Sequence, residues 1–214
     1  MYNIFFGNRR LSVSSNRDPL LKNPNAVLYS PGSLPQLTAL PQLFWNSTEI
    51  DTLLIPSDNV ENTFKQLVTN LYRINAGGGL VSNRRGDILL IHRYGKWDLP
   101  KGTQEPSEDI RNSALREVSE ECGLTMEHLE IKEHICDTYH TFERDGRFNL
   151  KYTKWYRMEF LGDDSTTLPQ ALENIEQAVW VEPAQLHLYL NNTYLSILEV
   201  FEKSWLQYNL EAGN

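Results

Sequence analysis

The sequence predicts an α/β (α+β) fold in which helices pack on both sides of a mixed β-sheet, preceded by a small mixed N-terminal region. Two observations lead to this prediction. Strand-like segments lie before and after one central helix at about residues 108–122, and a second amphipathic helix is expected over residues 193–208. We therefore divide the chain into an appended α+β region, residues 1–72, and a main domain, residues 73–214.

The N-terminal region contains short elements joined by polar segments. Strands are expected at Tyr2–Phe6, Ala26–Tyr29 and Thr52–Ile55. An irregular but packed segment is expected over residues 30–47, which contain three prolines at positions 31, 35 and 41. Helical spacing of apolar residues predicts a helix over residues 58–72, with Ser57 or Asp58 as its cap. The role of this region is not apparent from its residues.

The main domain shows a series of strand patterns. Strands are expected at Ile74–Ser82, Asp87–Arg93, Ile131–Phe142, Phe148–Phe160 and Ala178–Val181. Three glycines at 77–79 predict a bulge in the first of these strands, with close approach of the backbone to a ligand as the alternative. The pair Asp145-Gly146 predicts a hairpin turn. The apolar residues expected to define the last helix are Leu195, Leu198, Phe201, Trp205 and Leu206.

The central helix has recognisable start and stop signals. Ser107 is expected to supply the N-cap hydroxyl, and Glu108 and Asp109 then place negative charge in the first turn, where the helix dipole favours it. Gly123 is placed where a left-handed residue would end the helix. The apolar residues at helical spacing, which predict the buried side, are Ile110, Ala114, Leu115, Val118 and Cys122.

Three glutamates cluster on the other side of this helix. At about 100° per residue, Glu120 lies ~60° to one side of Glu117, and Glu121 lies ~40° to the other. Because like charges one turn apart repel each other, such a cluster indicates that a cation binds there. The carboxylates are expected at the rim of a cleft, since they point away from the centre of the apolar stripe.

This segment resembles the Nudix box, whose pattern is G-x5-E-x7-R-E-U-x-E-E-x-G-U with U aliphatic. All nine specified positions are filled, by Gly102, Glu108, Arg116, Glu117, Val118, Glu120, Glu121, Gly123 and Leu124. At ordinary residue frequencies, a chance match is far below ~1 in a million. The preceding WDLPKG is similar to the lead-in of diadenosine- and diphosphoinositol-polyphosphate hydrolases of the family. The resemblance implies an α/β/α sandwich.

The resemblance also implies roles for the box residues. Glu117 and Glu121 correspond to metal ligands, and Glu120 corresponds to the general base, with metal contact as a further role. Glu117 competes for the role of base, because the base differs between members of the superfamily. Glu108 and Arg116 correspond to a supporting pair that positions the catalytic carboxylates. Clustered carboxylates suit Mg²⁺, which prefers oxygen ligands, with Mn²⁺ as a substitute.

Residues outside the helix are weaker candidates. Gly102, or the carbonyl of Lys101, corresponds to a backbone oxygen that some members bring to the metal. The candidates for substrate binding are Lys101, Gly102 and Lys154, and the alternatives are a turn residue at 101 and an exposed strand charge at 154. Glu173 and Glu176 precede the last strand, where relatives often supply another carboxylate. Trp97 is expected to pack under its loop rather than to stack on a base.

Composition restricts the partners. The chain has 214 residues and a formal charge of −8, which argues against nonspecific nucleic-acid binding. It has no apolar run long enough to predict a membrane span. Two lone cysteines, Cys122 and Cys136, do not form a disulfide framework, so a reducing cytoplasm is the expected location.

Together these observations predict a Mg²⁺-dependent pyrophosphohydrolase. Its expected substrate is a small molecule with a phosphoanhydride, namely a nucleoside diphosphate derivative, a dinucleoside polyphosphate or an inositol pyrophosphate. The alternative is a sensor or regulator that binds a nucleotide without turnover, although such regulators often lose box carboxylates and none is lost here. A homodimer formed through residues 1–72 is a further expectation, based only on their apolar content.

Overall fold

The computed structural model describes residues 1–30, 32, 35–144, 147–163 and 166–212, with the side chains of residues 206–212 outside the description. The chain divides into two compact units. The first comprises Met1–Arg73 and Tyr139–Lys151, and the second comprises Ile74–Thr138 and Tyr152–Asn214. The domain boundary after residue 72 stays a prediction. Of the helices in the described ranges, none has the length and apolar character that crossing a membrane requires.

The first unit combines a small sheet with short helices. Its own elements are β1 (Tyr2–Phe6), β2 (Arg9–Ser15), β3 (Val27–Leu28), α1 (Leu40–Asn46), β4 (Thr52–Ser57) and α2 (Val60–Leu67). Strand β1 pairs with β2 in antiparallel fashion, whereas β2 and β3 both run parallel to β4. The core of this unit includes the fully buried Ile4, Leu11 and Ile55.

Several expectations for this unit were wrong. Residues 40–46 form a helix instead of an irregular segment, because Pro41 lies in the first turn, where a helix tolerates proline. Helix α2 is capped by Asn59, whose side chain accepts a hydrogen bond from the Asn62 N–H, and not by Ser57 or Asp58. Strand β2 was not predicted. The strands expected at Tyr2–Phe6, Ala26–Tyr29 and Thr52–Ile55 are confirmed, the second shortened to two residues.

The second unit contains the longer elements. These are β5 (Tyr72–Asn83), β6 (Ile88–Arg93), β7 (Lys96–Asp98), β8 (Lys101–Thr103), α3 (Ile110–Cys122), β9 (Leu129–Arg144), β10 (Arg147–Phe160), β11 (Ile175–Val181), α4 (Leu186–Leu190) and α5 (Leu195–Ala212). The strand order is β11-β6-β5-β10-β9, with β7 paired to β6 and β8 paired to β5. The tips of β9 and β10, Tyr139–Lys151, belong to the first unit.

Alternate residues along these strands face two different cores. Leu89 and Ile91 of β6 pack with α3, whereas Leu90 packs with α4 and α5. The same alternation separates Tyr156 from Trp155 on β10. Helices therefore cover both faces of the sheet, and the predicted α/β/α sandwich is confirmed.

The three glycines of β5 allow close packing, and the predicted bulge does not occur in the pairing of residues 76–78 with β8. The register with β8 is regular, pairing Gly77 with Gly102 and Gly78 with Lys101. A Cβ atom at Gly77 would lie 2.8 Å from the backbone nitrogen of Ala114, so a side chain there would push α3 off the strand. The close approach of the backbone is toward α3 and neighbouring strands, and an approach to a ligand stays a prediction.

The buried side of α5 differs from the expectation. Phe201 is buried as predicted, with Ile197 and Val200, whereas Leu198 and Trp205 are exposed. The side chain of Leu206 and the predicted turn at residues 145–146 lie outside the described residues.

Candidate active site

Helix α3 begins two residues later than the sequence suggested. Its N-cap is Asp109, whose side chain accepts a hydrogen bond of 2.8 Å from the Arg111 N–H. Ser107, the predicted cap, has a left-handed φ of 68° and lies in the preceding turn. Glu108 therefore precedes the helix, where its carboxylate can turn back toward it. The predicted end is confirmed, since Gly123 adopts the left-handed conformation with φ 67°.

The apolar side of α3 anchors it to the sheet. Ala114, Val118 and Cys122 are fully buried, and Ile110 and Leu115 pack against the same core, as predicted. The adjoining side of the helix, which carries Glu117 and Glu121, therefore lies against strand β8 at Gly102 and Lys101.

Arg116 joins three of the carboxylates. Its Nε and Nη2 atoms donate to the two oxygens of Glu108 at 3.0 and 3.1 Å. Its Nη1 atom donates both to Glu117, at 2.9 Å, and to Glu120, at 3.0 Å. The fork on Glu108 is the bidentate geometry that makes arginine–carboxylate pairs strong. The hydrogen bond from Arg116 lowers the pKa of Glu108, and the Glu108 carboxylate in turn raises the pKa of Arg116.

Glu117 lies against the backbone of β8. A Cβ atom at Gly102 would overlap the Glu117 carboxylate, so only glycine leaves room for it there. The side chain of Glu117 is 13% exposed, whereas that of Glu120 is 49% exposed. Both carboxylates contact the same Arg116 nitrogen and are thus within about two hydrogen-bond lengths of each other.

Glu121 does not share this open face. Its side chain is 1% exposed, and it accepts a hydrogen bond of 2.8 Å from the Lys101 N–H. Burial raises its pKa to about 7, against the opposing effect of nearby Lys101 and Arg93. The expectation that all three glutamates lie at the rim of a cleft was wrong for Glu121, because the step of about 100° from the exposed Glu120 turns this side chain toward strand β8.

A buried charged cluster surrounds Glu121, and two of its members were missed by the sequence analysis. Asp98, on β7, accepts a hydrogen bond from the Lys101 ammonium at 2.7 Å and two from the Arg93 guanidinium at 3.1 and 3.2 Å. Burial alone would raise the pKa of Asp98, but Lys101 and Arg93 outweigh it and lower that pKa. The position of Asp98 within WDLPKG was the only signal that could have indicated it.

The described residues contain no set of three or more His, Cys, Asp or Glu side chains placed to hold a metal ion together. The donors that are present nevertheless suit a hard divalent cation, because they are carboxylate and backbone oxygens without sulfur or imidazole. A cationic nitrogen of Arg116 already lies between Glu117 and Glu120. The same two carboxylates therefore meet around one positive charge.

Comparison with known proteins identifies the family. The NUDIX domain family model matches residues 72–201, which is more than half of the chain. This chain belongs to the Nudix family. It is a hydrolase of the pyrophosphatase type, acting on phosphoanhydride bonds.

Individual relatives agree with this assignment. An RNA pyrophosphohydrolase from Novosphingobium aromaticivorans is 31% identical over 51% of this chain and 77% of its own length. One from Roseobacter denitrificans is 29% identical over 58% of this chain and 89% of its own length. A solved structure of a C. elegans Ap4A hydrolase covers 66% of this chain and 99% of its own, with a TM-score of 0.50 and 23% identity. This last likeness shows the Nudix fold alone.

Each of the other candidate residues has a different position or a different binding partner from the glutamates of α3. The Lys101 ammonium is buried against Asp98. The contact of Lys101 with Glu121 is therefore made by its backbone N–H. Lys154 is half-buried on β10 and has no ion pair among the described residues. Glu173 is exposed, and Glu176 pairs with His92 at 2.9 Å.

The Trp97 side chain packs against two neighbouring rings. Its ring centroid lies 4.9 Å from that of His92 and 4.8 Å from that of Tyr189. This agrees with the packing role expected from the sequence. Arg157, which also lies on β10, donates to Glu133 and to the carbonyl of Ser204.

Proposed function

We propose that this Nudix hydrolase is Mg²⁺-dependent and cleaves the phosphoanhydride of a nucleoside diphosphate derivative, a dinucleoside polyphosphate or an inositol pyrophosphate. The observation that carries the proposal is that Arg116 binds three of the carboxylates. One guanidinium engages Glu108, Glu117 and Glu120 at once, while Gly102 leaves space for Glu117. Glutamates that merely face the solvent would not be expected to share one arginine in this way.

Glu117 and Glu121 would hold the metal, with the carbonyl of Lys101 as a backbone ligand and Mn²⁺ as a substitute for Mg²⁺. When bound, a divalent cation neutralises charge on the reacting phosphate and lowers the pKa of a bound water. The hydrogen bond from the Lys101 N–H to Glu121 supports this set, because it brings that backbone and that carboxylate together. Arg116 orients Glu117 from the other side.

Glu120 is the proposed general base. Its side chain is the most exposed of the three glutamates, so water and substrate can reach it. The hydrogen bond from Arg116 restricts its orientation. Glu117 remains the competing candidate, since it is bound to the same nitrogen atom.

Two observations favour particular classes of substrate. The WDLPKG lead-in supports a polyphosphate, and the proposed phosphate contacts are the backbone at Lys101 and Gly102 and the side chain of Lys154. The relatives named RNA pyrophosphohydrolases favour a second candidate, a phosphoanhydride at an RNA end. The acidic charge of the chain disfavours nonspecific nucleic-acid binding, but it does not oppose recognition of one RNA terminus.

The experiment is a substrate panel assayed with Mg²⁺ and with excess chelator. It contains a nucleoside diphosphate sugar, a diadenosine polyphosphate, an inositol pyrophosphate and a 5′-triphosphorylated RNA. We expect cleavage of at least one of these substrates that disappears with the chelator and in the Glu117→Gln/Glu120→Gln double variant. If every substrate survives the wild-type protein, or if the double variant cleaves equally well, the proposal fails.

The alternative function is a nucleotide sensor. It predicts tight binding of one panel member without turnover in saturating Mg²⁺, which calorimetry on the same samples would detect. Retention of every box carboxylate favours the enzyme. The N-terminal region, residues 1–72, is proposed as a separate module that forms a homodimer, and sedimentation showing a monomer would remove that proposal.

A further inference from the structure

The buried cluster around Glu121 is balanced in charge. It contains two carboxylates, Asp98 and Glu121, and two cations, Arg93 and Lys101. Buried charges are tolerated when they are paired and hydrogen-bonded. How the two cations divide their contacts between the two carboxylates therefore determines which carboxylate can still bind another cation.

Both cations contact Asp98 more closely than Glu121. The Oδ2 atom of Asp98 accepts from the Lys101 ammonium at 2.7 Å and from Arg93 at 3.1 and 3.2 Å, and its Oδ1 atom accepts from the Leu99 N–H at 2.8 Å. Charge-assisted N–H···O bonds of full strength are about 2.7–2.9 Å long. The single contact from Arg93 to Glu121 is 3.4 Å, so it is weak.

Glu121 consequently keeps much of its capacity as an acceptor. A carboxylate offers about four lone-pair sites. Among the described residues, the partners of Glu121 are the Lys101 N–H and the long contact from Arg93. The cations that could neutralise Glu121 are held mainly by Asp98 instead.

We infer that Asp98 is a positioning residue that keeps Lys101 and Arg93 away from Glu121, so that the Glu121 carboxylate stays available to the metal ion. This inference rests on the proposed function, because it assumes that Glu121 is a metal ligand. Asp98 also fixes the side chain of Lys101, whose backbone N–H orients Glu121. Asp98 thus acts through its neighbours and does not touch the substrate.

Removing the charge of Asp98 should redirect the two cations. In Asp98→Asn, Glu121 becomes the only carboxylate of the cluster, and the Lys101 ammonium and Arg93 turn toward it. They then compete with a divalent cation for the same oxygens. Substitution of residues that orient metal ligands typically weakens metal binding about 10–100-fold.

The test measures Mn²⁺ binding to the full chain without substrate, by the electron paramagnetic resonance signal of free Mn²⁺. We expect Asp98→Asn to raise the Kd for Mn²⁺ at least about tenfold. At saturating metal its kcat should remain within about threefold of wild type, because no reacting group is lost. A purely structural role would lower stability without this split between metal affinity and kcat.

Asp87→Asn is the matched control. Asp87 is also a buried aspartate of the second unit, bound by Arg85 at 2.9 Å and by Asn83 at 3.0 Å, but it follows β5 and has no contact with Glu121. Its loss should reduce stability and leave the Kd for Mn²⁺ unchanged. An equal rise in Kd for both variants would overturn the inference.

A second variant covers the case in which Asp98→Asn does not fold. Asp98→Asn/Lys101→Met removes one acid and one cation, so the cluster stays neutral and only Arg93 is left to compete for Glu121. We expect its Kd to return to within about threefold of wild type, and a persistent tenfold loss would contradict the inference. Failure of the wild-type protein to bind Mn²⁺ or to hydrolyse the panel would instead count against the proposed function.

Discussion

The carboxylate of Glu117 occupies the space that a side chain at Gly102 would fill. Fifteen residues separate the two positions in the sequence, yet strand β8 and helix α3 place one directly against the other. Only a residue without Cβ permits this contact. The glycine that opens the Nudix box is thus explained by the glutamate near its end.

Gly102→Ala should therefore damage activity far more than stability. The added methyl group displaces the Glu117 carboxylate, and a misplacement of about 1 Å can cost about 100-fold in rate. We expect kcat to fall about 100-fold while the thermal midpoint changes little, as measured by steady-state kinetics and circular dichroism. The control is Thr103→Ala, at an exposed neighbouring position. Unchanged kcat in Gly102→Ala would refute the steric explanation.

Arg116→Lys should show that the guanidinium fork is required. A lysine ammonium is a single point donor and cannot span Glu108, Glu117 and Glu120 together. We expect kcat to decrease about 10–100-fold, in the range reported for groups that orient ligands. Arg111→Lys, on the exposed side of the same helix, is the matched control. Similar rates for Arg116→Lys and wild type would mean that charge alone suffices.

The Glu108–Arg116 pair should make stability depend on pH in acid. Because Arg116 lowers the folded-state pKa of Glu108, the pair stabilises the fold at pH values above the unfolded pKa of about 4.3. That contribution is lost as pH falls through the lowered folded-state pKa of Glu108. We expect Glu108→Gln to cost about 1–3 kcal/mol of unfolding free energy at pH 7. In urea melts, this difference should shrink below pH 4, and a difference that grows there would contradict the assignment.

Much of this arrangement could be predicted from local sequence, and the rest depends on contacts between distant residues. The apolar stripe of α3 and its end at Gly123 follow from helical spacing and a left-handed glycine. The cap at Asp109 was misassigned because Ser107 is an equally good local signal, and only the turn conformation excludes it. The contact of Asp98 with Lys101 requires the short strands β7 and β8, whose three residues each are too few for a periodic pattern.

The two cysteines should be unreactive in the native state. Both are free, and burial raises the pKa of Cys136 to about 12 and that of Cys122 well above its usual value. At pH 8 the thiolate fraction at a pKa of 12 is about 10⁻⁴, compared with about a quarter for a free thiol. Iodoacetamide should therefore label neither cysteine in native protein and both in urea. Rapid native labelling of either one would show that it is more accessible than the fold indicates.

The most direct test of the proposed catalysis is the kcat of Glu120→Gln at saturating Mg²⁺ on the best substrate of the panel. Glutamine keeps the size of the side chain but cannot accept a proton, and loss of a general base typically costs about 10²–10⁴-fold. We predict a decrease in that range, with Glu127→Gln, an exposed glutamate beyond the helix, retaining the wild-type rate. A Glu120→Gln variant as fast as wild type would show that Glu120 is not the base.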